Sequence, residues 1–183
     1  MATSPARSPS PGRPPTLTHA HEGDLVVFHI GMTIRTPYRP DLWGPVFLAM
    51  PAMLAELEKN RAAHERGEAE DLGFLGAYTL IGASGPWVVQ YWKSTEQLYT
   101  YAAMPDRAHL PAWRRFHQTA RKHPGAVGIW HETYAVPAEG IETLYGNGGI
   151  VGLGKATGTV PVRRRGRAAR ERLGSSLGRT RTA

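Results

Sequence analysis

An α+β protein, with helices packed on one face of an antiparallel sheet, is predicted by three features of this 183-residue chain. Four stretches rich in β-branched and aromatic residues, at 25–34, 74–81, 87–92 and 126–136, read as strands. Apolar residues at helical spacing follow the first stretch and the third. Gly82-Ala83-Ser84-Gly85-Pro86 separates the second and third strands and marks a hairpin turn. The order strand, helix, strand, strand, helix, strand is the ferredoxin-like split unit.

Each element has a local reason. Leu25-Val26-Val27-Phe28 is a β-type run, and Thr36-Pro37-Tyr38-Arg39-Pro40 is a loop. Pro45 suits the first turn of a helix on which Val46, Met50, Met53, Leu54 and Leu57 recur at helical spacing. Pro51 predicts either a kink there or a helix that starts near it. The charged stretch 58–71 then ends the helix in a polar loop. Ser94 or Thr95 caps the next helix, with Glu96 or Gln97 in its first turn. Met104-Pro105-Asp106 interrupts it, 110–122 forms a second helical segment, and Pro124-Gly125 ends that segment. Glu142-Thr143-Leu144-Tyr145 is expected to be a short fifth strand. Such a sheet leaves one face bare, and a second copy of the chain is its simplest cover. The expectation is a ferredoxin-like antiparallel sheet with helices on one face, in a homodimeric α+β barrel.

Charge divides the chain into a leader at 1–22, a body at 23–160 and a tail at 161–183. The leader is rich in Pro, Ser and Thr, lacks the apolar run of a signal peptide, and reads as disordered. The body is nearly neutral, and the net +7 belongs to the tail, with eight Arg and one Glu. The tail also reads as disordered. No aromatic residue is interleaved with its arginines, so nucleic acid is expected as a partner only through non-specific contact. No membrane partner is expected, because the uncharged stretch 72–92 is broken by the Gly/Ser/Pro cluster. The chain has no cysteine, which excludes disulfides, thiolate metal sites and a Cys nucleophile and is compatible with a cytoplasmic protein.

The stretch Trp130-His131-Glu132-Thr133-Tyr134 carries the most chemistry. Strand alternation gives His131 the face of Val127, Ile129 and Thr133, and gives Trp130, Glu132 and Tyr134 the other. An imidazole on an apolar face is costly unless something binds it. A buried hydrogen bond, a metal or haem iron, and a substrate are the alternatives. His109, Trp113 and His117 are four residues apart and share a helix face. Of Tyr91 and Trp92 only one can face a given pocket. No His-x-His or His-Glu-x-x-His spacing supports a non-haem metal site. The glycine-rich stretch 146–154 lacks the strand–turn–helix setting of a dinucleotide loop.

Taken together, Phe28-His29-Ile30-Gly31-Met32, Trp43 with Pro45, Gln90-Tyr91-Trp92-Lys93-Ser94, His109-Leu110-Pro111-Ala112-Trp113-Arg114-Arg115-Phe116, Val127 to Tyr134 and Gly152-Leu153-Gly154 make a pattern. It resembles a monooxygenase-like, aldoxime-dehydratase-like family of the dimeric α+β barrel superfamily, over about residues 24–155. His29 departs from it, standing where an apolar residue is expected, and Gly146-Asn147-Gly148-Gly149 lacks prolines of that segment. The resemblance implies a pocket between sheet and helices that holds a small hydrophobic substrate, enolisable or unsaturated. It implies an oxygen-dependent monooxygenase, with a haem-binding lyase or a non-catalytic binding and dimerisation module as alternatives. The cofactor is then either none or haem. His131 is the candidate base or ligand, Glu132 its orienter and His109 a further catalytic candidate. Tyr91, Trp92, Trp113 and Tyr134 are the candidate walls.

Overall fold

A computed structural model describes residues 14–174. Those parts of the expected leader and tail at 1–13 and 175–183 lie outside the described residues. The chain runs β1 (Leu17–His19), β2 (Leu25–Ile34), α1 (Pro40–Glu65), β3 (Phe74–Gly82), β4 (Gly85–Trp92), α2 (Thr95–Ala103), α3 (His109–Lys122), β5 (Val127–Val136), α4 (Leu153–Thr157), β6 (Thr159–Pro161) and α5 (Ala169–Gly174). Strands β3-β4-β2-β5, in that spatial order and antiparallel throughout, make the main sheet. This is the ferredoxin-like arrangement expected.

Alternation along the strands assigns every side chain to a layer. Val26, Phe74 and Trp92 pack against Leu57 of α1 and against Leu98 and Tyr101 of α2. Burying a side chain the size of Leu57 contributes about 1.5–3 kcal/mol. On the opposite side Leu25, Val89 and Tyr91 pack beneath Ile141 and Leu153. The chain therefore covers part of its own second sheet face with residues 141–157, where a second copy was expected to provide the whole cover. Gly31 stands between Trp87 and Trp130 in the pairing register. A Cβ there would lie 2.5 Å from the Trp130 ring and 2.7 Å from Trp87, so only glycine lets both indoles close over the strand.

Local chemistry explains the remaining elements, with four corrections. Ser94 caps α2, its Oγ accepting from the Gln97 N–H at 3.1 Å. Helix α1 begins earlier than expected, on Pro40, and contains both Pro45 and Pro51. Each inner proline removes the N–H owed to the carbonyl four residues back. Those carbonyls belong to Asp41 and Phe47, both exposed, where water is an alternative donor. The expected strand at 142–145 is a single bridge between Tyr145 and Leu17, and Thr143 meets β1 through its side chain instead. Residues 17–19, placed in the leader, form β1 and pair with β6, whose Pro161 falls in the expected tail. Thr18 and His19 are buried there, held by Thr143 Oγ1 at 3.1 Å from Thr18 Oγ1 and 2.9 Å from the His19 N–H. The tail stretch up to 174 is likewise ordered around Arg172, which is buried and pairs with Glu142 at 2.5 Å.

Candidate functional site

The pairing register sorts the candidate residues. On the helix-facing side, successive rows across β4, β2 and β5 read Trp92–Val26–Ala135, Gln90–Phe28–Thr133 and Val88–Ile30–His131. His131 is the only ionisable side chain on that side of the main sheet among the described residues. A buried hydrogen bond was one of its three expected settings. The side chain is exposed, because β5 is an edge strand and the close-packed core lies over β3, β4 and β2. Its ring stands 5.7 Å from that of Phe28, which is half-buried, as is Ile30. Phe28, Ile30, His131 and Thr133 thus form an accessible ledge beside the core. Met50 of α1 borders it, reaching Gln90 across the sheet.

Glu132 cannot orient His131, since consecutive strand residues project to opposite faces. Its carboxylate accepts from the Tyr134 hydroxyl at 2.8 Å, and this bond holds the phenol above its ordinary pKa. Tyr134 is therefore also off the ledge, beside His29 with ring centroids 5.8 Å apart. Tyr91 lies on that same far side, stacked on Tyr78 at 6.3 Å, where burial pushes its pKa up and keeps it a proton donor. Trp92 is on the helix-facing side but 0% exposed, a core residue and not a wall.

Helix α3 presents the expected stack. His109 and Trp113 are 6.5 Å apart and nearly parallel, and Trp113 and His117 are 4.3 Å apart edge to face. The stack is largely outside: Trp113 is 42% exposed and borders a depression of about 290 Å³ with Arg114, His117, Gln118 and Arg121. His109 donates from Nδ1 to the Ala102 carbonyl at 2.9 Å, tying α3 to α2.

Two features escaped the sequence reading. A depression of about 440 Å³ on the far side of the sheet is lined by His29, Thr33, Tyr78, Leu80, Trp87 and Trp130 among others. Its signal was His29, the imidazole that broke the apolar pattern. The second is Gln90, a carboxamide inside the apolar run Trp87-Val88-Val89-Gln90-Tyr91-Trp92.

An axial haem ligand needs an apolar cavity beside the imidazole. Neither depression reaches His131 or His109. His131 and His109 therefore lack that setting, whereas His29 and His117 each border a depression, the latter among Arg114, Gln118 and Arg121. Among the described residues no cluster of three or more His, Asp or Glu is placed to hold a metal ion, and no helix is long and apolar enough to cross a membrane.

The sheet order β3-β4-β2-β5 with helices on one side makes this a ferredoxin-like α+β protein. The chain belongs to the Monooxygenase af470-like family, which it matches over residues 25–153. It is 27% identical to monooxygenase af470 of Aspergillus fumigatus over 166 residues, 86% of this chain and 56% of that protein. The chain thus spans little more than half the length of that relative. Among solved structures it is similar to an aldoxime dehydratase, at 19% identity and TM-score 0.45, over 87% of this chain and 43% of that one. SnoaB, a cofactor-independent oxygenase from Streptomyces nogalater, is 17% identical with TM-score 0.38, over 61% of this chain and 91% of that one.

Proposed function

We propose that this chain is a monooxygenase-like oxidoreductase that oxidises a hydrophobic small molecule with O₂ on the Phe28–His131 ledge. The family membership supports the reaction class. The observation that carries the site is that His131 is, among the described residues, the sole ionisable group on the helix-facing side of the sheet, and is open to a ligand. Imidazole takes up protons near neutral pH. His131 removes a proton from an activated C–H of the substrate, and the electron pair left behind is delivered to O₂. A methylene becomes a carbonyl, and the second oxygen atom leaves as water. Phe28 and Ile30 supply the apolar bed, and no protein cofactor enters the balance.

His131→Gln keeps a hydrogen-bonding side chain but not a useful base. It should lower the rate of O₂ uptake about 10²–10⁴-fold with little change in stability. Unchanged O₂ uptake would remove His131 from the chemistry. If the wild type binds hydrophobic ligands but turns none over, a binding module is the better account.

We further propose a homodimer, packed through the half of the far sheet face that residues 141–157 leave open. Trp87, Trp130 and Leu80 supply its apolar surface. Light scattering at micromolar concentration should give twice the chain mass, and Trp130→Arg should give the monomer.

A further inference from the structure

We propose that Gln90 holds the substrate's oxygen through its amide N–H, so that the substrate class is an enolisable carbonyl compound or a phenol. This rests on the ledge reading given above. Gln90 is 5% exposed. Its Oε1 accepts from the Trp92 indole N–H at 2.9 Å. An indole nitrogen can only donate, which fixes the amide orientation and turns the NH₂ group away from Trp92. That NH₂ donates to Met50 Sδ at 3.9 Å, and it has no oxygen or nitrogen acceptor among the described residues. A thioether is a weak acceptor, so a strong buried donor is left poorly matched.

Satisfying the indole would take only an acceptor. The donor half of the amide is used only weakly, by the Met50 sulfur. It lies on the helix-facing side, in the row Gln90–Phe28–Thr133, one row from His131. The β4 and β5 backbones are two strand spacings apart, about 10 Å. A ring system lying on Phe28 therefore has the amide at one end and the imidazole at the other. Met50 is half-buried, and an unbranched thioether side chain can move aside for a ligand. A carbonyl oxygen then replaces the sulfur as acceptor. When His131 takes the proton from the carbon next to that carbonyl, the C–H electron pair becomes a C=C bond and the charge moves to the oxygen. The Gln90 N–H faces that charge as it forms, the placement that makes a donor catalytic.

The test uses 2-tetralone, with tetralin as the same skeleton lacking oxygen. The wild type should bind tetralone about 5- to 10-fold more tightly than tetralin, the worth of one hydrogen bond. Gln90→Glu, read at a pH where its carboxyl is ionised, keeps an oxygen for the Trp92 N–H and has no proton to donate. It should abolish that preference while tetralin still binds; the buried carboxylate lowers the thermal melt, so binding is compared below it. Met50→Leu leaves Gln90 intact and removes the competing sulfur, so the preference should grow a few-fold. Under nitrogen in D₂O, protein-catalysed exchange of the tetralone α-protons should fall about 10²–10³-fold in Gln90→Glu. His131→Gln should stop this exchange and spare the preference. A preference that survives Gln90→Glu and ignores Met50→Leu overturns the assignment. Equal wild-type binding of both probes overturns it while leaving the ledge standing. Failure of both probes to bind removes the ledge, and the role of Gln90 with it.

Discussion

The His19 imidazole is 2% exposed, and its Nδ1 has no hydrogen-bond partner among the described residues. Burial, and then the nearby Arg165 and His21 charges, lower its pKa from 6.5 to about 4. The sign of the effect follows from which state takes the proton first. Below about pH 6.5 the unfolded chain binds a proton that the folded chain refuses until about pH 4. Stability is therefore full above pH 6.5 and falls as the pH drops towards 4. The drop amounts to about 3 kcal/mol, from roughly 1.4 kcal/mol per pH unit. Denaturant titrations at pH 7, 5.5 and 4 should show this loss. His19→Gln should flatten the part that belongs to this residue, leaving only the contribution of the carboxylates.

Helix α2 gives the cleanest check on the secondary elements. Ser94 supplies the only side-chain cap of that helix, so Ser94→Ala should cost about 1 kcal/mol in chemical denaturation. That cap was readable in the sequence, as were β2, β3, β4, β5 and the turn at 82–85, because period-two runs and a Gly/Ser cluster are local signals. The opposition of His131 and Glu132 was equally readable from alternation. Assigning Glu132 as orienter went against it, and the Glu132–Tyr134 bond is what the register produces. Strand β1 was not readable. Leu17-Thr18-His19 is too short and too polar to stand out, and its burial depends on Thr143 and β6, far along the chain. The exposure of His131 was hidden for a related reason. No local pattern says which strand lies at the edge of a sheet.

For the molecule as a whole, the ends of the described chain belong to the fold. A leader read as disordered implies that trimming to residue 23 leaves the body intact. The structure predicts instead that deleting 1–22 removes β1, exposes the surface that buries Thr18 and His19, and strips β6 of its partner. Thermal unfolding should show a melting point several degrees lower, since 1 kcal/mol shifts a domain of this size by roughly 2–4 °C. An unchanged melting point would mean that the β1–β6 pair adds nothing to stability.

That pair also dictates a timetable. Leu17 meets Pro161, 144 positions later in the chain. At about 5–20 residues per second, a ribosome takes roughly 7–30 s to make the intervening segment. Strands β2 to β5 are all complete by Val136, so the main sheet can assemble while residues 17–19 still wait in water. Closing so long a loop costs entropy, which falls once the main sheet has drawn its two ends together. The strand made first is thus the last to be locked, and for that interval the newborn chain carries its ledge and its open sheet face without its clasp.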